Sequence, residues 1–229
     1  SGNTTGNYNV AVGDEALFTS TTAAWNTAVG NDALYDNTTG EYNTAVGGQA
    51  LANNTTASFN VAVGYNGLAA NTTGAENTSL GGRSLEANTT ASYNTAIGYA
   101  SLFSNTTGAQ NTALGRTALY SNTTANDNTA LGYNTMYSNT TGTGNVAVGK
   151  NALDANTTGN YNTAIGMLAL TTTVSGEQNT AVGYESLANN TAHFNTAMGF
   201  QALETNTTGS NNTALGHNAM DVNTTGANN

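Results

Sequence analysis

The strongest constraint on the fold is a repeat of 17 residues. In each repeat a glycine ends the block N-[TV]-A-[VIL]-G, and this glycine recurs at Gly13, Gly30, Gly47, Gly64, Gly81, Gly98, Gly115, Gly132, Gly149, Gly166, Gly183, Gly199 and Gly216. The single shorter step is the one of 16 residues from Gly183 to Gly199, where "NNTAHF" lacks one Thr. A short fixed period is the signature of stacked-repeat architectures.

Two columns of the repeat are always apolar and predict the core. The branched column precedes each glycine and comprises Val12, Val29, Val46, Val63, Leu80, Ile97, Leu114, Leu131, Val148, Ile165, Val182, Met198 and Leu215. The second column follows each glycine by four residues and comprises Leu17, Leu34, Leu51, Leu68, Leu85, Leu102, Leu119, Met136, Leu153, Leu170, Leu187, Leu203 and Met220. One coil with so few apolar residues cannot bury a core, whereas stacked coils turn each column into a continuous ladder.

The order of residues within a coil predicts its secondary structure. Alternation in "NVAVG" places Val10 and Val12 on one face of a strand and Asn9 with Ala11 on the other. We therefore expect an all-β fold, a parallel β-roll or β-solenoid of about thirteen 17-residue coils forming a single repeat domain over residues 1–229. Each coil should hold a strand (Asn9–Val12 and its copies), a turn at the glycine, a second short strand around Leu17, and a turn at Asn-Thr-Thr-Gly.

The glycine and Asn-Thr-Thr columns have structural explanations. Glycine is needed where φ is positive, or where another backbone comes too close for a Cβ. Asn suits turns because its side chain bonds nearby backbone groups, and stacked Asn residues can also bond each other in a ladder. The short repeat lacks one Thr. We expect the turn from Asn189 to His193 to absorb this deletion, with no shift of the strands on either side.

Composition excludes several classes of function. Three Lys and Arg residues against thirteen Asp and Glu residues give a net charge of −10, so no basic stripe is available for nucleic acid. No apolar run reaches the length of about 18 residues that a membrane span requires, which predicts no membrane insertion of this segment. Both ends fall within the repeat, and we expect the chain to be a section of a longer fibre.

No catalytic constellation interrupts the repeat. The two histidines, His193 and His217, occupy different columns, and we expect that neither has a partner column. The acidic residues scatter through variable positions. No nucleophile with an aligned base, no zinc-binding H-E-x-x-H and no phosphate-binding loop is present. We predict that the chain is not an enzyme and holds neither a cofactor nor a metal.

A column of aromatic residues precedes many of the strands. It comprises Tyr8, Trp25, Tyr42, Phe59, Tyr93, Tyr161 and Phe194, while other repeats place Glu76, Gln110, Asp127, Gly144, Gln178 or Asn211 there. A buried column would not accept charged residues so freely. The rings should be half exposed, either as a structural ladder or as a stripe that binds a sugar or a protein.

The repeat motifs carry a resemblance to a known family. "NVAVG" at Asn9, Asn60 and Asn145 and "NTAIG" at Asn94 and Asn162 resemble the repeats in the heads of YadA-like trimeric autotransporter adhesins, and the Ala-Leu column is similar to repeats of phage tail-fibre-like proteins. The resemblance implies a left-handed β-roll, three chains packed side by side, and display at a cell or virion surface outside the cell, where a glycan or protein receptor is bound.

Three functions remain open. The first is a structural, surface-displayed fibre or an adhesin stalk or head. The second is a glycan-coated extracellular scaffold, because the sequence Asn-Thr-Thr matches the N-glycosylation pattern at Asn3, Asn37, Asn54, Asn71, Asn88, Asn105, Asn122, Asn139, Asn156, Asn206 and Asn223. The third is an ice-binding Thr-rich solenoid, although the members of a Thr-Thr pair point to opposite faces.

A further ladder of small residues bears on assembly. It comprises Ala11, Ala28, Ala45, Ala62, Ala96, Ala113, Ala130, Ala147, Ala164, Ala181, Ala197 and Ala214, with Ser79 as the exception. If this Ala face points away from the core, it suits close approach by another chain and predicts a homotrimer or self-assembly into a fibre. The rival is a monomeric solenoid in which the Ala column lies inside and the Val10-type column faces out.

Overall fold

The computed structural model describes residues 4–229, which form an all-β parallel β-solenoid, as the repeat predicts. Each coil contributes one strand of three residues, and no helix occurs within residues 4–229. The strands are β1 (Val10–Val12), β2 (Thr27–Val29), β3 (Thr44–Val46), β4 (Val61–Val63), β5 (Thr78–Leu80), β6 (Thr95–Ile97), β7 (Thr112–Leu114), β8 (Thr129–Leu131), β9 (Val146–Val148), β10 (Thr163–Ile165), β11 (Thr180–Val182), β12 (Thr196–Met198) and β13 (Thr213–Leu215).

The coils fall into two compact units, one ending at Asn111 and the other running from Thr112 to Asn229. In the first unit β1 to β6 pair in parallel and in chain order, with Thr27 opposite Thr44 and Ala28 opposite Ala45. In the second unit β7 to β13 pair in the same way. Equivalent residues of successive repeats are therefore direct neighbours within each unit.

The short repeat keeps this register, as the sequence predicts. Thr180 lies opposite Thr196 and Val182 opposite Met198, so neither strand shifts. The deletion is absorbed beside Asn190, whose Nδ2 donates to the carbonyl of Ala192, two residues later, at 2.9 Å. In full-length repeats the same bond spans three residues, as from Asn206 to the carbonyl of Gly209.

The face of the strand that points into the coil is the opposite of the one predicted. The Ala column is buried, with Ala28 and Ala45 fully inaccessible, whereas the branched column is partly or largely exposed and includes Val12 and Leu80. The interior is narrow at this point: a Cβ at Gly67 would lie 3.6 Å from the Cβ of Ala62. A branched side chain does not fit there, so the expectation of an outward Ala face is wrong, and the alternative placement of the Ala column inside the coil is confirmed, while the state of association stays a prediction.

The second predicted strand, around Leu17, is replaced by consecutive turns. In the next coil the amides of Ala33, Tyr35 and Asn37 donate to carbonyls three residues earlier, at 3.4, 3.3 and 3.2 Å. Leu34 has a φ of 53° and is fully buried, and its equivalents in the Leu column are also buried except Met220, which is partly exposed. A left-handed non-glycine residue costs about 1–2 kcal/mol. Burying a Leu side chain contributes about 1.5–3 kcal/mol, which offsets that strain.

Both explanations of the glycine column hold at Gly30. Its φ is 137°, in the region that disfavours side chains. A Cβ on Gly30 would also lie 2.5 Å from the carbonyl oxygen of Gly47 in the next coil. The column therefore permits the turn and the close stacking of coils at once.

Two ladders of buried asparagines join the coils. The NTT ladder comprises Asn37, Asn54, Asn71, Asn88 and Asn105 in the first unit and Asn122, Asn139, Asn156, Asn190, Asn206 and Asn223 in the second, with Ser20 and Thr173 each in place of an Asn. The strand Asn ladder precedes each strand and includes Asn26, Asn43, Asn60, Asn77, Asn94 and Asn111, then Asn128, Asn145, Asn162, Asn179, Asn195 and Asn212.

One coil shows how the two ladders meet. Asn43 donates its backbone N–H to Oδ1 of Asn26 at 2.9 Å. The carbonyl of Ala57 accepts from Nδ2 of Asn43 at 2.8 Å and from Nδ2 of Asn54 at 3.0 Å. Each buried amide is thereby satisfied, and each links its own coil to a neighbour.

Candidate functional site

The aromatic column lies on the surface, and its first four rings form one stack. Tyr8, Trp25, Tyr42 and Phe59 are between 46% and 71% exposed. The ring centroids are separated by 4.0 Å from Tyr8 to Trp25, 6.2 Å from Trp25 to Tyr42, and 5.0 Å from Tyr42 to Phe59, with nearly parallel planes. The expectation of half-exposed rings is correct.

The stacking decides what this column can bind. A sugar packs on a free ring face, but here each inner ring has its faces covered by its neighbours and presents its edges outward. A free face occurs where the stack ends, at Phe59, because the next residue of the column is Glu76. Phe59 and Glu76 line a surface cleft of about 400 Å³. Among the stacked rings, this end is the best candidate for a ligand contact.

Tyr93, Tyr161 and Phe194 are also exposed, yet they belong to no run of adjacent aromatic residues in this column. A Cβ at Gly144 would lie 2.8 Å from the ring of Tyr161, which shows that this ring leans over the preceding coil. The seven residues of the predicted stripe are therefore one stack of four and three separate rings.

Sequence reasoning missed two further aromatic columns. One contains the stacked pairs Phe18–Tyr35 and Tyr120–Tyr137, at 5.3 and 5.0 Å. The other contains Tyr184, Phe200 and His217, stacked at 5.2 Å from each ring to the next. The 17-residue spacing of Phe18 from Tyr35 was a signal that could have revealed the first of these columns.

The predicted glycosylation sites lie inside the coil. Asn37, Asn54, Asn71, Asn88, Asn105, Asn122, Asn139, Asn156 and Asn206 are fully buried, Asn223 is partly buried, and Asn3 lies outside the described residues. Nδ2 of Asn71 donates to Oδ1 of Asn54 and to the carbonyl of Gly74, both at 2.9 Å. A glycan on this nitrogen would remove a donor and would have to fit in the interior, so the buried sites are poor acceptors.

Both histidines contact a residue of the preceding coil. Nδ1 of His193 accepts from the backbone N–H of Glu177 at 3.1 Å. In the same way, Oγ of Ser58 accepts from the backbone N–H of Glu41 at 3.0 Å, and Oγ of Ser92 accepts from that of Ala75. His193 therefore belongs to a column of side chains that bond the coil before them, and His217 belongs to the aromatic stack on Phe200. The expectation that neither has a partner column is wrong.

The charged residues described by the structure form one ion pair. Arg83 pairs with Glu86, with Nε 2.6 Å from Oε2, and its guanidinium lies 4.7 Å from the ring centroid of Phe103. The hydrogen bond to Glu86 is the main reason that the pKa of Arg83 is raised further above its ordinary value. Glu15 and Asp32 line a surface cleft of about 230 Å³ with Tyr35, Gln49, Ala52 and Asn53.

Within residues 4–229, no group of three or more His, Asp or Glu side chains lies close enough to hold a metal ion. No helix in that part of the chain is long and apolar enough to cross a membrane.

The fold defines the chain as a β-solenoid repeat protein. Comparison with family models, curated proteins and solved structures finds no match. The likeness to adhesin heads and tail fibres therefore stands on the repeat motif alone, and the left-handed coil remains a prediction.

Proposed function

We propose that this chain is a non-catalytic structural segment of a surface-displayed fibre or adhesin, located on a cell or a virion. The observation that carries the proposal is the bonding between coils. Within each unit, successive coils are joined by parallel strand pairs and by the NTT and strand Asn ladders, as at Asn26, Asn43 and Asn60. A fibre needs this kind of repeated coupling along the chain.

The distribution of sequence variation supports the same function. The buried columns keep Leu, Ala and Asn with few exceptions, while exposed positions of equivalent coils hold residues as different as Trp25, Glu76 and Gln110. An invariant interior with a variable exterior suits a scaffold that carries recognition on its outer columns. The end of the aromatic stack at Phe59 and Glu76 is our candidate contact for a surface glycan or protein receptor.

Assembly with other copies would have to use outer columns. The Ala column, on which a homotrimer was predicted to form, is enclosed within the coils from Ala28 to Ala214. The glycan-coated alternative is weakened in the same way, since its Asn-Thr-Thr sites are enclosed. Self-assembly into a fibre or a trimer through another face remains compatible with the proposal.

Localisation is tested by immunogold electron microscopy with antibodies raised against the folded chain. Intact and permeabilised cells of the source, and any virions they release, are labelled in parallel. We expect gold on surface filaments of intact cells or on virion fibres. Label that appears only after permeabilisation, and never on virions, would overturn the proposal.

The structural role is tested by removing one whole repeat, residues 43–59. Because the flanking coils present the same columns, the shortened chain should fold with an unchanged circular dichroism spectrum per residue. Removing eight residues, 43–50, is the control and should disrupt the stack because it breaks the period. If both deletions unfold the chain, the coils are not equivalent structural units.

A further inference from the structure

The outer face of the strands carries two regular columns that the proposed function does not use. We define the strand face as the first and third residue of each strand. The first position is Thr in ten of the thirteen strands and Val in β1, β4 and β9, and the third position is the branched column. No charged residue occurs at any of these positions, although the chain has a net charge of −10.

The Thr hydroxyl groups on this face are not used within the fold. In the NTT segments the first Thr uses its hydroxyl within the fold, as Thr38 and Thr72 do when they donate to carbonyls of the next coil at 3.0 Å. In contrast, none of the strand Thr hydroxyls in the described part of the chain has a hydrogen-bonding partner within the chain. Each coil with a strand Thr therefore offers one free hydroxyl group and one methyl group beside an aliphatic side chain.

The spacing of these groups is fixed in two directions. Because the strands pair in register, neighbouring Thr residues such as Thr78 and Thr95 are about 4.8 Å apart. The first and third residues of one strand, such as Thr78 and Leu80, are about 6.6 Å apart. The result in each unit is a grid of methyl groups with a constant period, in which a hydroxyl group accompanies the first position of every strand except β1, β4 and β9.

The dimensions argue against a protein as the occupant. In the first unit the six strands extend about 24 Å across, and the two columns are about 7 Å apart. Even with the width of the side chains, this strip remains well below the roughly 800 Å² per partner of a stable protein interface. A protein surface other than a second copy of this chain also lacks a matching period in two directions.

An ordered water lattice fits the strand face better. Apolar groups restrict the orientation of first-shell water, and regularly spaced hydroxyl groups can fix the position of that water by hydrogen bonds. A grid without charges has no strongly hydrated group to disturb such a layer. We propose that the strand face binds ice, through a water layer ordered by its Thr and aliphatic columns.

The proposal differs from the ice-binding alternative drawn from the sequence. That alternative considered the Thr-Thr pairs, whose two members do not share a face. The structure instead places strand Thr and branched residues, two positions apart, on one outer face that is at least partly exposed. Ice binding by the strand face does not depend on where the protein is displayed. The ice-binding proposal would therefore remain valid if the fibre proposal failed.

The test compares two double variants with the same change in charge. Thr78→Lys with Thr95→Lys places two cations on the strand face. Thr73→Lys with Thr90→Lys is the matched control, because these exposed NTT residues form a Thr column with no aliphatic column beside it. Fluorescently labelled chain is offered to a growing ice hemisphere, and inhibition of ice recrystallisation is measured at equal concentrations.

We expect the native chain and the control to enter the ice and to inhibit recrystallisation, and the strand-face variant to lose both activities. Circular dichroism checks the fold of each variant. If the lysines on the strand face unfold the chain, Thr78→Ser with Thr95→Ser keeps the hydroxyl groups, removes the methyl groups and should still weaken binding. A native chain that is excluded from ice, or folded variants that all retain or all lose the activity equally, would overturn the proposal.

Discussion

Nδ2 of Asn54 lies 2.9 Å from Oδ1 of Asn37 in the preceding coil, and Oδ1 of Asn54 accepts from Nδ2 of Asn71 at the same distance. Asn54 is fully buried, so this side chain relays hydrogen bonds between three coils in the interior. A carboxylate cannot do so, because it accepts hydrogen bonds and donates none when ionised.

The first prediction follows from that relay. Asn54→Asp should lower the free energy of unfolding by about 3–5 kcal/mol, because it buries an unpaired charge and places two acceptors face to face. Asn53→Asp is the control, since Asn53 is the exposed neighbour, and it should change stability by less than about 0.5 kcal/mol. Urea titration measures both. Equal effects at the two positions would contradict the ladder.

The same variant should respond to pH. Burial raises the pKa of a carboxyl group. Because the folded-state pKa lies above the unfolded value, the deficit in unfolding free energy of Asn54→Asp relative to the native chain should shrink at low pH, where the carboxyl group is neutral in both states. The deficit should grow as the pH rises through the folded-state pKa. A deficit relative to the native chain that is constant from pH 3 to pH 8 would show that the charge is not its cause.

The second prediction concerns the glycine column. Gly64 has a φ of 133°, and a Cβ there would lie 2.6 Å from the carbonyl carbon of Gly81. Gly64→Ala should cost about 2–5 kcal/mol from backbone strain and overpacking together. Gly48→Ala is the control, because its nearest atom would be a ring carbon of Tyr65 at 3.6 Å. Thermal unfolding of the two variants should separate clearly, and similar melting temperatures would count against the close stacking.

The third prediction concerns left-handed residues that follow the glycines. Thr117 has a φ of 56°, which is unfavourable for a β-branched residue, whereas Asn134 in the next coil has a φ of 52°. Asn tolerates this conformation, and an Asn at 117 retains a donor for Oδ1 of Asn134, which now accepts from Thr117 at 2.5 Å. Thr117→Asn should therefore stabilise the fold by about 0.5–1 kcal/mol.

The reverse change, Asn134→Thr, should destabilise the fold by a similar amount, because it introduces the strained residue type at the same position of the next coil. Both variants are compared by urea titration. Changes of the same sign in the two variants would show that the backbone conformation does not decide their stability.

The fourth prediction concerns glycosylation. Three exposed asparagines, Asn53, Asn189 and Asn211, begin the sequence Asn-Asn-Thr and also match the acceptor pattern. Folded chain secreted by a eukaryotic host should carry its glycans at these positions and not on the buried members of the NTT ladder. Peptide mapping by mass spectrometry gives the occupancy of each site. A glycan on Asn71 in chain that is folded by circular dichroism would contradict the placement of that amide.

The sequence predicts the period, the Leu column and the role of the glycines, because each of these leaves an invariant residue type at a fixed spacing. It does not predict which face of the strand points inward. Alternation assigns Val10 and Val12 to one face and Ala11 to the other, but a period of two does not show which of the two faces is buried. The choice depends on the narrow interior between Ala62 and Gly67, and that width results from the turns around the Leu column.

The same limit applies to the candidate sites. The positions of Tyr42 and Phe59 in one column could be predicted, but the loss of their free faces depends on ring orientation. The strand Asn ladder was visible as an invariant Asn before each strand, yet its partners are carbonyls 14 residues away, such as that of Gly74 for Asn60. Only the closed coil brings these groups together.

The last prediction is the state of association of the isolated chain. Except at Ala11 and Met220 in the end coils, the Leu and Ala columns are buried within one chain, at residues such as Leu68 and Ala62, so the core between them needs no partner to be complete. A trimer built on the Ala face would have to open the coil, which would expose both columns and break the strand Asn ladder. We therefore expect light scattering at micromolar concentration to give a mass near 23.1 kDa. A mass near three times that value would show that chains associate through an outer face. Thr78→Lys with Thr95→Lys would then show whether that face is the strand face, since two cations on a shared strip should dissociate the trimer.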